Sequence, residues 1–221
     1  MLDTARRPEV AEESESKVTE RASENMRVIA GQYRSRPLRS LPGLDVRPTA
    51  DRLRETLFNV LCGGNPDALA GTTWLDLYAG TGAVGIEALS RGAAKVYFAE
   101  AAKPAADLIA ANLKSLGITT GITTGITSGF VIAKAETAKA LRQWEAVGVV
   151  ADFVFLDPPY RLREEYAKTL TALAESKVLA TEALVIAEHE KRFDPGAEFG
   201  QLRRYRKLEQ GDAALSFYSR R

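Results

Sequence analysis

Five short apolar runs alternate with helical patterns between residues 73 and 187, and this alternation most constrains the fold. The runs lie at residues 73–78, 95–99, 130–133, 151–156 and 183–187. Strands separated by helices pair in parallel, because each crossover returns the chain to the same end of the sheet. We therefore expect an α/β fold with a mostly parallel twisted sheet and helices on both faces. Residues 202–208 and 214–218 flank Gln210-Gly211-Asp212, which predicts an antiparallel hairpin at the sheet edge.

Composition divides the 221 residues into three parts. Residues 1–25 are polar and acidic without apolar periodicity, which predicts a disordered tail. Residues 26–48 alternate short apolar pairs with arginine and are punctuated by glycine and proline, which predicts a small basic β-hairpin arm. Residues 49–221 hold the strand–helix alternation and form the main domain.

The formal net charge is only +1, so bulk charge indicates no partner. The arm and the helix that follows it are nevertheless rich in arginine, whose planar guanidinium suits phosphate recognition better than lysine does. We predict an RNA-binding surface from these residues: Arg27, Arg34, Arg36, Arg39, Arg47 and Arg52. The alternative for any such run of charge is a solvated face.

Single cysteine and histidine residues exclude several chemistries. Cys62 stands alone, so the chain has no internal disulfide and no cysteine-based metal cluster. His189 is the one histidine, and a Ser-His-Asp triad has no support. No run reaches the length of a membrane span, and the N-terminus lacks a signal peptide's apolar core. We expect a cytoplasmic monomer with no metal and no membrane association.

Asp157-Pro158-Pro159-Tyr160 follows the buried run at residues 151–156. Two prolines cannot continue a central strand, because each lacks a backbone N–H. Ligands bind at the carboxyl edge of an open α/β sheet. The motif therefore predicts a stiff loop that presents an acid, free carbonyls and a flat ring to a ligand. The alternative is a strand terminator whose tyrosine packs in the core.

A glycine-rich loop follows the first strand, in the stretch from Asp76 to Gly85. The glycines at positions 80, 82 and 85 satisfy the spacing G-x-G-x-x-G of dinucleotide-binding proteins, and Glu100 lies at the expected distance beyond them. A nicotinamide or flavin enzyme is therefore one possibility. Asp76 disfavours it, since a carboxylate before the loop would repel a pyrophosphate. The same carboxylate would favour a cationic sulfonium ligand.

These motifs together resemble one enzyme family. The residues that carry the resemblance are Arg47-Pro48-Thr49 with the helix through Leu57-Phe58-Asn59, the loop Asp76-Leu77-Tyr78-Ala79-Gly80-Thr81-Gly82, Glu87-Ala88-Leu89-Ser90-Arg91-Gly92 and Asp157-Pro158-Pro159-Tyr160. They are similar to the bacterial small-subunit (16S) ribosomal RNA guanine-N2 methyltransferases over residues 26–219. The resemblance implies a Rossmann-like S-adenosylmethionine-dependent methyltransferase fold. It also implies small-subunit ribosomal RNA or a 30S assembly particle as partner.

The resemblance implies S-adenosylmethionine as cofactor, lying over the carboxyl ends of the first four strands. Glu100 would accept hydrogen bonds from the ribose hydroxyls, and Ala135 and Glu136 would lie beside the adenine. Glu136 has an alternative role as an acid that stabilises a helix N-terminus. The cofactor-binding residues implied are Asp76, Tyr78, Gly80, Gly82, Glu100, Ala135 and Glu136.

The resemblance also gives the tetrapeptide a role in methyl transfer to an exocyclic amine. Asp157 and the Pro158 carbonyl would accept hydrogen bonds from the amine, and Tyr160 would stack on the flipped base. The four residues themselves would accept either purine amine, so an adenine-N6 methyltransferase on RNA or DNA is the nearest alternative. Further alternatives are an NAD-dependent oxidoreductase and a noncatalytic RNA-binding factor in ribosome assembly.

A tandem repeat lies where a short helix-to-strand loop is expected. Gly117-Ile118-Thr119-Thr120 recurs at residues 121–124 and, with serine, at residues 125–128. Three short copies are too few for a solenoid. We expect an expanded surface loop, and we assign it no function.

Overall fold

The computed structural model describes residues 26–40, 48–123 and 126–220. Five helices lie in this part of the chain: α1 (Pro48–Leu61), α2 (Ala83–Ser90), α3 (Lys103–Ser115), α4 (Thr137–Ala146) and α5 (Glu164–Glu175). Its nine strands are β1 (Thr73–Leu77), β2 (Lys95–Ala99), β3 (Gly121–Thr123), β4 (Ile126–Ala133), β5 (Ala151–Leu156), β6 (Leu179–Glu190), β7 (Glu198–Phe199), β8 (Leu202–Gln210) and β9 (Ala213–Arg220). None of the described helices is both long and apolar enough to cross a membrane.

The nine strands form one sheet in the order β3-β4-β2-β1-β5-β6-β9-β8-β7. The five central strands, β4-β2-β1-β5-β6, are parallel, and β9, β8 and β7 continue the sheet in antiparallel pairing. The strand order reverses between β1 and β5. In open α/β sheets a crevice forms at such a switch point and binds ligands.

The sheet has a hydrophobic core on each face. On one face Trp74, Phe155 and Phe217 pack against α1, α2, α3 and the arm, which contributes Met26 and Val28. The other face packs against α4 and α5, whose buried side chains are listed here: Ala140, Leu141, Trp144, Tyr166, Leu170 and Leu173. We call these the arm face and the opposite face. Burial on both faces explains why the central strands are mostly apolar in their middle residues.

The strand–helix alternation predicted from sequence is confirmed. The bounds of β2, β5 and α5 agree with the expected ones, and the antiparallel edge hairpin is present as β8 and β9. Two elements differ. Strand β6 is twelve residues long, because Leu179 at its start pairs with β5 and its last three residues pair with β9 alone. Part of the repeat forms antiparallel strands: Gly121 pairs with Ser128 and Thr123 with Ile126, which also lengthens β4. The predicted tail, residues 1–25, lies outside the described residues.

The arm forms a minimal version of the small β-hairpin expected from its apolar pairs. Within residues 26–40 the structure shows one isolated antiparallel bridge, between Arg27 and Pro37, and a turn between them. Pro37 has no backbone N–H for a longer ladder. The arm packs against the main domain, and its Met26, Val28 and Leu38 side chains are at most 6% exposed. The remainder of the predicted arm, residues 41–47, lies outside the described residues.

Several side chains of the main domain hold the arm through its backbone, Glu87 and Asn112 among them. The buried Glu87 carboxylate accepts hydrogen bonds from Ile29 N at 2.7 Å and Ala30 N at 2.9 Å. The buried Asn112 amide accepts from Arg39 N at 2.8 Å and donates to the Arg39 carbonyl at 3.1 Å and to the Thr81 carbonyl at 3.0 Å. In a longer hairpin such backbone groups would pair between the two strands. Here the Glu87 and Asn112 side chains satisfy them.

Gly31 is the point of closest approach between the arm and α2. Its φ is +81°, and a Cβ added there would lie 1.9 Å from the Ser90 carbonyl oxygen. Gly31→Ala must therefore move the arm or α2, and we expect it to lower the free energy of unfolding by roughly 2–4 kcal/mol. Chemical denaturation measures this loss.

Gly148→Ala is the matched control. Gly148 also has a positive φ, +74°, but a Cβ there would meet nothing within 4 Å. We expect it to cost only about 1 kcal/mol of backbone strain. Equal losses in the two variants would contradict the close contact between the arm and α2.

Candidate active site

A cavity of about 230 Å³ opens at the switch point between β1 and β5. The glycine-rich loop and the ends of β1, β5 and β6 form one side, and α1 covers the other. Its polar lining consists mainly of acids, with a single basic side chain among the described residues. The charged groups that line it are Asp51, Arg54, Asp76, Asp157 and Glu188. The cavity thus suits a ligand that is cationic or rich in hydrogen-bond donors.

Asp76 lies at the floor of the cavity, near the end of β1. It is 1% exposed, and its carboxylate accepts a hydrogen bond from Gly85 N at 2.9 Å. Burial raises the pKa of Asp76 to about 8, against the effect of that hydrogen bond; the charges of Asp157 and Glu100 raise it further. A cation placed here would stabilise the ionised carboxylate and offset its desolvation.

The three glycines of the loop have different roles. At Gly80, where φ is +55°, an added Cβ would meet nothing within 4 Å, and the residue lines the cavity. At Gly82 an added Cβ would lie 3.1 Å from Ile109 of α3, and at Gly85 it would lie 2.4 Å from Phe98. Gly80 therefore leaves room for a ligand, whereas Gly82 and Gly85 allow close packing of α2. A cofactor contact of Gly82 stays a prediction.

Glu100 lies beside the glycine-rich loop, as its place after β2 predicts. Its two carboxylate oxygens accept from Gly80 N at 2.9 Å and from Ala102 N at 2.7 Å. Each oxygen keeps a further lone pair for a ribose hydroxyl. Ala135 and Glu136 follow the neighbouring strand β4. Glu136 is exposed at the N-cap of α4 and makes no side-chain capping hydrogen bond. Its roles beside adenine or at the helix dipole both stay predictions.

Tyr78 follows β1 and has a left-handed backbone, with φ of +61°. Its hydroxyl lies 2.8 Å from Thr169 Oγ1 and donates to Glu165 Oε2 at 3.1 Å, and both partners belong to α5. The side chain thus fixes the start of the glycine-rich loop to the opposite face, while the residue still lines the cavity. A direct cofactor contact of Tyr78 stays a prediction.

The tetrapeptide lies where expected, directly after β5. Asp157 lines the cavity, and burial raises its pKa to about 7. Tyr166 of α5 donates its hydroxyl to the Glu188 carbonyl at 2.8 Å, and the Pro158 carbonyl lies 3.5 Å from the same hydroxyl. Tyr166 thereby ties the tetrapeptide to β6. Tyr160 is partly exposed in the turn that follows. The structure brings Asp157 to the same cavity as Asp76 and Gly80.

Sequence reasoning assigned no site role to three charged residues of this cavity, Asp51, Arg54 and Glu188. Arg54 is 7% exposed; its Nη2 donates to the Arg27 carbonyl at 2.6 Å and to Asp51 Oδ1 at 3.1 Å. Burial raises the pKa of Glu188 well above its ordinary value. Glu188 could have been noticed as a third acid at a strand end. Arg54 is one of several arginines near and within α1, and no sequence feature marks it as the one that lines the cavity.

The predicted RNA-binding arginines mostly face solvent. Arg27, Arg34, Arg36 and Arg39 of the arm are exposed, as is Arg52 of α1, while Arg47 lies outside the described residues. Arg36 also donates to the Ser115 carbonyl at 2.9 Å. His189, in contrast, is buried in β6 between the Glu190 carbonyl and Ser216, which agrees with a structural role.

Comparison with known proteins decides the family. The family described as Conserved hypothetical protein 95 matches residues 26–219. The chain belongs to this family. A curated relative, Ribosomal RNA small subunit methyltransferase D of Escherichia coli (strain K12), is 36% identical over 170 residues, which are 76% of each chain. The resemblance noted from the sequence motifs is therefore confirmed.

Solved structures agree with this assignment. The structure of yhhF from Escherichia coli is 34% identical, with a TM-score of 0.68, and covers 88% of this chain and 97% of that one. The SAM-dependent methyltransferase from Agrobacterium tumefaciens matches with a TM-score of 0.51 over 66% of this chain and 46% of that one. At 20% identity the latter likeness shows the fold alone. The fold of the chain described here is therefore that of S-adenosylmethionine-dependent methyltransferases.

The raised pKa of Asp76 predicts how stability depends on pH. Because the folded pKa, about 8, exceeds the ordinary 3.8, the folded chain holds this proton more tightly than the unfolded chain. The free energy of unfolding without ligand should fall as pH rises from about 5 to 8.5, by at most about 1.4 kcal/mol per pH unit from this group. Asp76→Asn should reduce this fall and leave the part that Asp157 and Glu188 contribute, measured as Tm against pH.

The control is Asp212→Asn, which removes an exposed carboxyl at the turn between β8 and β9. We expect this variant to keep the wild-type dependence. Identical pH profiles for Asp76→Asn and wild type would show that Asp76 is ionised in the folded chain throughout this range.

Proposed function

We propose that this protein transfers a methyl group from S-adenosylmethionine to the exocyclic N2 amine of a guanine in 16S, small-subunit ribosomal RNA. The observation that carries the proposal is the single cavity that joins Asp76 and Gly80 to Asp157. It places acids suited to a cationic methyl donor next to acids suited to an amine. The printed name of the Escherichia coli relative supports ribosomal RNA of the small subunit as substrate.

The residues fit the cofactor. Its sulfonium supplies a methyl group already activated for transfer to a nucleophile. The buried Asp76 carboxylate offers negative charge nearby, and Gly80 leaves the open space that a ligand against the loop requires. Glu100 has lone pairs for two ribose hydroxyls. A pyrophosphate fits poorly, because Asp76, Asp157 and Glu188 would all repel it.

Asp157 prepares the amine. The lone pair of a guanine amine is delocalised into the ring, so the amine is a weak nucleophile. Hydrogen bonds from its N–H groups to Asp157 and the Pro158 carbonyl would favour tetrahedral nitrogen and direct the lone pair at the methyl group. Tyr160 would stack on the base. A pKa of about 7 also makes Asp157 an acceptor of suitable strength for the amine proton.

The exposed arginines give the protein a surface for the RNA backbone. They lie on the arm and on α1, which is also the helix that covers the cavity. Phosphates that bind there would hold the target strand beside the cavity mouth, since phosphate contacts set register rather than sequence. The arm is fixed to α2 and α3 by Glu87 and Asn112, so this surface is preformed.

We expect Asp157→Ala to lower methyl transfer by about 10²–10⁴-fold, because the amine loses its acceptor. The variant should still bind S-adenosylmethionine, which isothermal titration calorimetry measures. Methylation with labelled cofactor on small subunits that lack the modification, followed by nucleoside mapping, gives both the rate and the product.

Glu164→Ala, an exposed acid at the start of α5, is the control and should retain wild-type turnover. Unchanged turnover in Asp157→Ala would overturn the role of Asp157. A product of N6-methyladenosine would support the adenine alternative, and tight binding of NAD without S-adenosylmethionine binding would support the oxidoreductase. Bound cofactor with no turnover on any subunit would support an assembly factor.

The arm predicts a salt-dependent affinity for RNA. Arg34→Ala combined with Arg36→Ala should weaken binding and reduce the slope of log K against log salt by roughly 1.5, since each lost phosphate contact removes about 0.7–0.9. Filter binding to the RNA at several salt concentrations measures the slope.

The matched control is Lys139→Ala combined with Arg142→Ala. Both residues are exposed on α4, on the opposite face, and their loss changes net charge by the same amount. We expect the control to keep the wild-type slope. Equal changes in both pairs would mean that the arm has no special contact with RNA.

A further inference from the structure

Two acids directly follow the last paired residues of two neighbouring parallel strands. In the pairing of β5 with β6, Leu156 lies opposite Ala187, so Asp157 and Glu188 occupy the next positions on adjacent strands. Phe155 and Ile186, two residues earlier, both pack in the core of the arm face. Since strand side chains alternate, Asp157 and Glu188 point to the same face, beneath α1. Both line the cavity.

Arg54 lies in the opposite wall with an unsatisfied donor. It is 7% exposed and lines the cavity, and its Nη2 is engaged by Asp51 and by the Arg27 carbonyl. Its Nε is buried and has no hydrogen-bond partner in the described part of the chain. Buried polar groups are nearly always paired in folded proteins. The unpaired donor therefore points to a ligand that brings an acceptor.

Glu188 lies near both Asp157 and Arg54, since all three line the same cavity. The charge of Asp157 raises the pKa of Glu188, and the charge of Arg54 lowers it. Asp157 and Glu100 in turn both raise the pKa of Asp76. The strand register thus sets Asp157 beside Glu188, and Arg54 lies in the opposite wall of the same cavity.

This order matches the Watson–Crick edge of one base. Guanine presents the N2 amine, then the N1–H donor, then the O6 acceptor. Adenine presents an amine followed by N1, which is an acceptor and would face the lone pairs of an ionised Glu188. An enzyme that flips its target base reads it along this edge. The required sequence of acceptor, acceptor and donor is the sequence Asp157, Glu188 and Arg54.

We infer that Glu188 and Arg54 are the specificity-determining residues of the site, with Glu188 accepting from N1–H and Arg54 donating to O6. The inference rests on the proposed function and identifies the residues that select guanine as its target base. A nearby cation and the N1–H donor both favour the ionised form of Glu188, which is the form that rejects adenine. Arg54 also holds the Arg27 carbonyl, so the base pocket and the arm share one side chain.

The test compares guanine with 2-aminopurine at the mapped target position of reconstituted small subunits. 2-Aminopurine keeps the N2 amine, but its N1 is an acceptor and it has no O6. Wild type should methylate guanine at least about 100-fold faster, because two edge contacts are lost. In Glu188→Gln the ratio should fall by about tenfold or more, because the glutamine amide can donate to N1 of 2-aminopurine.

Two further measurements separate this role from others. Arg54→Lys and Glu188→Gln should bind S-adenosylhomocysteine as wild type does; a parallel loss of that affinity would assign Arg54 to the cofactor and overturn the inference. Glu182→Gln, an exposed acid earlier in β6, is the control and should keep the wild-type ratio. Thermal unfolding of each variant checks that it is folded.

Nucleoside mapping of the wild-type product separates the two proposals. A product other than N2-methylguanosine would overturn the proposed function and this inference with it. N2-methylguanosine together with an unchanged guanine preference in Glu188→Gln would overturn the inference alone.

Discussion

The parallel pairing of β1 with β5 is the constraint on which the site depends. It brings Leu77 opposite Leu156, so the glycine-rich loop and the tetrapeptide leave the sheet side by side although 80 residues separate Asp157 from Leu77. The backbone bond from Asp157 N to the Leu77 carbonyl, at 3.4 Å, extends that pairing to the first residue of the tetrapeptide. The strand order reverses here, so α2 and α5 leave on opposite faces and the crevice between them stays open.

Burial of three acids in this crevice lowers the stability of the ligand-free protein, because their ionised forms lose water. Asp76, Asp157 and Glu188 all have raised pKa values because they lose water on folding. A group whose charged form is disfavoured in the empty fold gains most from a ligand that supplies the opposite charge. A bound cation or a set of hydrogen-bond donors would therefore stabilise the ionised forms of these acids. Such perturbed groups are typical of functional sites.

The local elements could be predicted from sequence because local patterns determine them. Strand β5 is apolar apart from Asp152, and prolines end it at Leu156. Helix α5 begins with Glu164 and Glu165, which suit a helix N-terminus. The bound conformation of the arm could not be predicted, because its hydrogen bonds come from Glu87 and Ser90, 57 or more residues away. The same holds for Arg54 and Glu188, whose importance appears only once α1 lies over β6.

Asn112 connects parts of the protein that the proposed reaction uses separately. One buried amide in α3 bonds the Arg39 backbone in the arm and the Thr81 carbonyl in the glycine-rich loop. Displacing the loop therefore strains a bond to the arm, and displacing the arm strains a bond to the loop. If both ligands shift this amide, linkage requires that the effect of each on the affinity of the other has the same size. The order in which the two ligands bind then affects the rates of assembly but leaves the stability of the ternary complex unchanged.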